Sequence, residues 1–356
     1  MKILIVTTNT RDLCAFWRSV GPWQTLVKTD KTIETELILT AGSAGWEYVQ
    51  KFDLIFMQRA CSKEDVMILQ LARNQNIPVW VDYDDWLLDV PGWNPAASLY
   101  HDPIRQKNIA TIIACADLVS TSTKELGRQC AKVNSNVIVI PNAYPKSMFS
   151  YALKEPGPRN KTVVWRGTNT HDGDILSVYQ MWSKIPEHVH FMGSPPWILV
   201  NSLDPTKYTL HGHKDPFEYF KTLHEMSPTV LTFPLFDCVF NRCKSNIAWI
   251  EAIHAGALCI APDWEEWQQP GIINYDSKAP KTFLEAINKV FNMTPEQVKT
   301  QVTDARELIH NGELSMGTQN SIRRDLADVI KQENTLDPLA PDTGAGALAK
   351  LLPRNT

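Results

Sequence analysis

The sequence predicts an α/β protein built from two doubly wound parallel sheets, each flanked by helices. Three observations carry that prediction. Short apolar runs of strand length alternate with longer runs of helical spacing, and strands separated by helices pair in parallel. The 356 residues exceed what one hydrophobic core usually organises, so two domains of about 150 residues are expected. A stretch with two prolines and a glycine, "SYALKEPGPRNK" at 150–161, falls near the middle and reads as a linker.

The elements follow in order. "KILIV" (2–6) is a buried first strand, and "AFWRSVGPWQTLVK" is a helical stretch interrupted by Gly21-Pro22. "TELILT" and "DLIFMQ" are further strands, and "SKEDVMILQLARNQN" is a helix opened by a serine cap. "PVWVDYDD" is a strand ending in acids, "RQKNIATIIACA" a helix, and "DLVSTST" and "NVIVIPN" two more strands. Beyond the linker come "TVVWRG" (strand), "DGDILSVYQMWSKI" (helix), "HVHFMG" and "KYTLHG" (strands), "DPFEYFKTLHEM" (helix) and "PTVLTFPL" (strand). A helix starting at Lys244, the strand "LCIAP", a helix pair over 279–310 and a long helix over 316–334 complete the folded part. The remainder, 335–356, is rich in Pro, Gly and Ala and is expected to be a flexible tail. In such sheets ligands sit at the carboxyl ends of the strands.

Composition narrows the function classes. With 35 basic against 39 acidic residues, the net charge of -4 provides no global attraction to nucleic acid or anionic membrane. The seven cysteines form no CxxC pair, which fits reduced thiols in a cytoplasmic protein. No apolar span of transmembrane length exists, and "MKILIVTTNT" turns polar too soon for a signal peptide. The first strand leads into "TTNTRDLCAFW" without GxGxxG, which disfavours a nicotinamide dehydrogenase.

One stripe of residues asks for a ligand. In "FNRCKSNIAWIEAIHAGALCIAP" (240–262), Lys244, Ala248, Glu251 and Ala255 share a helix face with a charge near each end. Free N–H groups at Lys244, Ser245 and Asn246 would attract phosphate, with the Lys244 ammonium adding a full charge. Glu251 would accept hydrogen bonds from a pair of sugar hydroxyls about 10 Å away. A solvated Lys and Glu on an amphipathic helix would produce the same pattern.

Several stretches resemble the GT-B glycosyltransferases, two Rossmann-like domains facing each other across a cleft. "ADLVSTSTKEL…NVIVIPNAYP" (116–145) is similar to the end of the N-terminal domain in the GT4-like group, and residues 240–262 are similar to its donor-site helix. "DLIFMQR", "PVWVDYDDWLLDVP" and "VVWRGTNTHDGD" are similar to a branch common in tailed bacteriophages. The resemblance implies an acceptor-side domain over 1–149, a nucleotide-sugar domain over 162–315 and a last helix free to cross back.

It also implies site residues. Arg166 is aimed at a diphosphate, Gly167 lets the backbone approach a ligand, and Thr168 follows them at the sheet edge. His171 is a phosphate or sugar contact or an ordinary loop histidine, and Asp172 is expected to cap the next helix. Gly212 and His213 would hold the base, while Asp237 and Asn241 would face the sugar or phosphates. Many retaining relatives carry a Glu-x7-Glu pair, of which Glu251 matches the second member. Cys243 stands where the first would be, so that carboxylate is missing or has moved, with Asp237 as its candidate.

On the acceptor side, Asp82, Asp84 and Asp85 would orient or deprotonate a hydroxyl. A turn or capping cluster is an alternative, and metal binding is disfavoured. Trp86, Trp93 and His101 would line the acceptor pocket, with Arg18 as a further phosphate or acceptor contact.

The implied activity is transfer from a uridine-linked sugar nucleotide to a hydroxyl, with retention and without a cofactor or metal. The phage branch suggests a 5-hydroxymethylated pyrimidine in double-stranded DNA, for which Arg11, Arg18, Arg59, Arg105 and Lys107 would supply a basic rim. A glycan, lipid or virion-protein acceptor competes with it. A nucleotide-sugar epimerase and a noncatalytic binding module are the other classes.

Overall fold

The computed structural model describes residues 1–7, 13–39, 45–146, 155 and 161–334. Most of the expected linker, the expected tail and Arg11 lie outside the described residues.

Twelve strands form two parallel six-stranded sheets. The first contains β1 (Lys2–Val6), β2 (Glu34–Ile38), β3 (Leu54–Gln58), β4 (Val79–Tyr83), β5 (Leu118–Thr121) and β6 (Val137–Val139), in the order β2-β1-β3-β4-β5-β6. The second contains β7 (Val163–Gly167), β8 (Val189–Gly193), β9 (Tyr208–Leu210), β10 (Val230–Thr232), β11 (Leu258–Pro262) and β12 (Ile272–Tyr275), in the order β12-β11-β10-β7-β8-β9. The direction of winding reverses between β1 and β3, and again between β7 and β10. Connections leave in opposite directions there, so each reversal opens a crevice at the carboxyl edge.

Side-chain alternation assigns each face of the first sheet its cover. Leu4, Val6, Ile55, Met57, Val79 and Val81 pack beneath the helices Lys63–Arg73 and Pro103–Cys115. Ile3, Ile5, Leu54, Phe56 and Trp80 face the other way, against Trp23 and Leu26 and against Ala327 and Ile330 of the final helix. That helix, Met316–Asn334, therefore lies on the first domain. Polar ties fix it there: Asn320 donates to the Pro22 carbonyl at 3.1 Å, and Arg324 and Lys331 reach Asp30 and Asp53, each at 2.8 Å.

Four local features differ from the sequence reading. Gly21-Pro22 does not interrupt its helix: a π-turn over Phe16–Val20 leads straight into Gly21–Thr29. Pro22 falls in the first turn of that second segment, where its missing N–H leaves nothing unsatisfied. The stretch after β7 is two short helices, Asp172–Leu176 and Tyr179–Trp182, because the Ser177 hydroxyl takes the Asp174 carbonyl at 2.6 Å. Strand β12 escaped the sequence reading, being four residues long and entered from Gly271 at φ +82°.

The fourth concerns the donor-site helix, which runs Ile247–His254 and not from Lys244. A shorter helix, Val239–Arg242, precedes it. The chain breaks between them because the Lys244 N–H turns back to the Asn241 carbonyl and the Cys243 carbonyl accepts from Thr123 Oγ1 at 2.9 Å. Lys244 and Ser245 thus stand on a tight connection, and Asn246 is the residue before the helix.

Candidate active site

A cavity of about 360 Å³ lies between the carboxyl edges of the two sheets, within the usual range for a small-molecule site. Its walls come from both winding reversals. The first domain contributes Cys14 after β1, Arg59 after β3, and Asp84 and Asp85 after β4. The second contributes Arg166 and Gly167 ending β7, Thr168 and His171 after it, Phe233 after β10, and Lys244 and Ser245. Gly212, His213 and Tyr219, beyond β9, complete that side.

Arg166 is held on three sides. Its backbone belongs to β7, its Nε donates to Glu251 Oε2 at 2.8 Å, and its guanidinium lies 4.7 Å from the centre of the Phe233 ring. Burial works against the charge, but Glu251 beside it raises the pKa, so Arg166 stays a cation. Tyr219 donates its hydroxyl to the same Oε2 at 2.9 Å. Glu251 itself is fully buried and absent from the cavity wall.

Lys244 crosses the cleft. Its ammonium stands 3.3 Å from Asp85 Oδ1 and 4.5 Å from the centre of the Phe240 ring. Burial opposes ionisation of Asp85, yet Lys244 and Arg59 hold its carboxyl below the ordinary value. Arg59 pairs with both Asp84 and Asp85. It occupies the left-handed region at φ 52°, a costly conformation for a non-glycine residue that points to over-determined local packing. Further bonds join the domains near this point: Asn142 Nδ2 donates to Ser245 Oγ at 2.8 Å, and Arg128 meets Glu265 at 2.6 Å.

His171 lines the cavity with its Nδ1 2.8 Å from Asp174 Oδ2. Burial lowers its pKa despite that carboxylate, which favours a neutral ring donating from Nδ1. Thr168 bonds Thr170 through their hydroxyls at 2.8 Å. At Gly167 a Cβ would come within 2.6 Å of the Trp165 ring, so the glycine there accommodates Trp165. Gly212, at φ +65°, has nothing within 4 Å of its Cβ position and leaves the cavity edge open.

The remaining sequence-predicted residues lie off the cavity wall. Asp82 forms a buried bidentate pair with Arg18, at 2.9 and 2.6 Å. Asp237 pairs with Arg242, five residues on, at 2.6 Å. Buried Asn241 donates to Asp174 and to the Phe236 carbonyl, which shapes the loop after β10. Trp86 belongs to the core of the first domain, and Trp93 packs over Gly173 of the second. His101 Nε2 lies 2.7 Å from the Val90 carbonyl. Asp172 does not precede its helix but forms its first residue, with His171 at the cap position. Cys243 is fully buried among apolar residues of the first domain.

Cys14, Asn94 and Tyr219 line the cavity without having been singled out in the sequence, and Arg59, expected on a basic rim between the domains, lines it as well. Tyr219 alone had a usable signal, since it lies in the first turn of the helix Pro216–Met226 that leaves the ligand edge after β9. Among the described residues, no group of three or more His, Cys, Asp or Glu side chains is placed to hold a metal, and no helix is long and apolar enough to cross a membrane.

Solved structures share this fold over nearly the whole chain. An α,α-trehalose 6-phosphate synthase from Burkholderia multivorans matches with a TM-score of 0.60 at 9% identity, covering 93% of this chain and 99% of its own. The T4 phage BGT in complex with its UDP-glucose substrate matches at 0.51 and 11%, covering 94% and 100%. The fold is GT-B. A DNA-modifying β-glucosyltransferase, solved with and without uridine diphosphoglucose, matches at 0.51 and 10% identity, again covering 94% and 100%. No protein-family model and no curated protein sequence matches the GT-B chain described here.

Proposed function

We propose that this protein is a glycosyltransferase that moves a sugar from a uridine-linked nucleoside diphosphate to a hydroxyl acceptor, with retention and without a metal. The observation that carries the reading is the pair Arg166 and Lys244, two cations from the second domain facing one cavity at the winding reversals of a GT-B fold. As the diphosphate departs, negative charge grows on its oxygens. Cations fixed beforehand in a partly dry site stabilise that charge more in the transition state than in the ground state. Asp85, which lines the cavity across the cleft from Arg166, would orient the acceptor hydroxyl. Gly212 and His213 form the edge where the base would lie.

The acceptor to test first is a 5-hydroxymethylated pyrimidine in double-stranded DNA. Its support is the shared fold of the DNA-modifying β-glucosyltransferase. Of the basic residues named for a DNA rim, Arg18 and Arg59 are committed to carboxylates, while Lys107 is exposed and Arg105 half-buried. None of the seven cysteines is in a disulfide, which fits action in a reducing cytoplasm.

The deciding experiment incubates the protein with a panel of nucleotide sugars and DNA containing plain or 5-hydroxymethylated cytosine, then weighs the digested nucleosides. An added sugar mass on the modified base alone establishes donor class and acceptor together. Slow release of nucleoside diphosphate without transfer keeps the donor and moves the acceptor to a glycan, lipid or protein. A protein that neither releases nor binds nucleoside diphosphate is not this enzyme.

A further inference from the structure

We propose that Tyr219 and Glu251 act as positioning residues that aim Arg166 at the phosphates, and that Glu251 does not hold the ribose. The inference rests on the reading that Arg166 meets a diphosphate, and it departs from the role that the motif position of Glu251 implies.

The geometry has three parts. First, both residues that touch Glu251 Oε2, Arg166 at 2.8 Å and Tyr219 at 2.9 Å, line the cavity, whereas Glu251 does not. A ligand in the cavity therefore meets the guanidinium and the phenol, with the carboxylate behind them. Second, Arg166 is gripped through Nε, and Phe233 lies under its plane. With Nε so engaged, the terminal Nη edge, the part of the fork suited to two phosphate oxygens, would be the end that meets a ligand.

Third, Glu251 is an expensive residue for this place. Its side chain is fully buried, Oε1 has no hydrogen-bond partner, and burial raises its pKa in spite of Arg166 and Tyr219. A buried acceptor without a partner is destabilising. A structural purpose alone would be met equally well by apolar side chains in place of the whole buried pair. What an apolar side chain cannot do is fix the rotation of a cation. The Tyr219 hydroxyl fixes the carboxylate in turn, so one hydroxyl and one carboxylate set where the charge of Arg166 points.

The test compares matched ligands, uridine and UDP, titrated by calorimetry into wild type, Glu251→Gln, Tyr219→Phe, Arg166→Ala and the Glu251→Gln/Arg166→Ala double variant. Guanosine with GDP and adenosine with ADP replace the pair if UDP does not bind. The expected result is unchanged nucleoside affinity in Glu251→Gln, with nucleoside diphosphate affinity lowered about tenfold and donor turnover lowered further. Tyr219→Phe should show the same pattern at about threefold, and it carries the test if Glu251→Gln does not fold. The double variant should be no worse than Arg166→Ala alone, because a positioning residue has nothing to act on once its target is gone. Nucleoside affinity that falls together with the diphosphate overturns the inference and returns Glu251 to the ribose. Full activity in Glu251→Gln and Tyr219→Phe, with Arg166→Ala impaired, also overturns it while sparing the proposed function. An Arg166→Ala variant that binds diphosphate normally, or a wild-type protein that binds none, removes the proposed function itself.

Discussion

Neutralising Asp85 should tighten the grip on the donor, an outcome opposite to that expected of most cavity substitutions. Lys244 and Asp85 are 3.3 Å apart, with side chains 12% and 17% exposed. At an effective dielectric near 20 the gross attraction is about 5 kcal/mol. Desolvation of the two groups cancels most of it, leaving a net coupling of about 1–1.5 kcal/mol. A diphosphate that takes Lys244 must first displace Asp85. Asp85→Asn removes that competition while keeping the shape, so the dissociation constant for UDP should fall about five- to tenfold. Asp84→Asn is the matched control, because Asp84 pairs with Arg59 and makes no contact with Lys244. Calorimetric titration of UDP into the three proteins measures the effect. Unchanged or weaker binding in Asp85→Asn, or equal tightening in both variants, would refute an exchange of carboxylate for phosphate at Lys244.

Four further expectations follow from the same geometry. Arg166→Ala should lower turnover about 100- to 1000-fold and also lower the thermal midpoint, because it leaves the buried Glu251 carboxylate without its cation; an undiminished rate in a transfer assay would count against it. Burial pushes the Glu266 carboxyl up to about 8 from an ordinary 4.5, so the native protein keeps a proton that the unfolded chain has released. Stability should therefore fall as pH rises between those values, and Glu266→Gln should flatten that slope in melting curves taken from pH 4 to 9. Cys243→Glu, which would restore the motif pair, should cost about 3 kcal/mol or more because the site is a dry core, and denaturant melts will show it. At Gly173 an added methyl would stand 2.4 Å from the Trp93 ring, so Gly173→Ala should destabilise by about 1–3 kcal/mol in denaturant melts.

The sheet edges were readable because their signals are local. A strand and the loop that follows it are contiguous, which is why Arg166, Thr168, His171, Gly212, Asp84 and Asp85 could be placed beside a ligand and do line the cavity. Lys244 and Ser245 also reach it, although from a tight connection and not from a helix start. What stayed hidden depends on partners distant in sequence. Arg18 and Asp82 are 64 positions apart, and nothing local announces that each neutralises the other. Trp86 follows a run of aspartates and yet is buried, since both sides of that run fold under helices. Arg59 lines the cavity from a positive-φ position that nothing about an arginine advertises. The position of Tyr219 near a ligand edge was legible, but its role was not, because its partner is a carboxylate 32 residues later.

The last helix makes the first domain a composite of both ends of the described chain. Ala327 and Ile330 complete a layer with Ile3, Phe56 and Trp23, so a fragment stopping at the interdomain boundary would leave an apolar face uncovered. The second domain is in effect an insertion, tethered by one covalent crossing on the way out and another on the way back. The cavity between the sheets is thus bounded on one side by a body joined to its neighbour through two chain crossings.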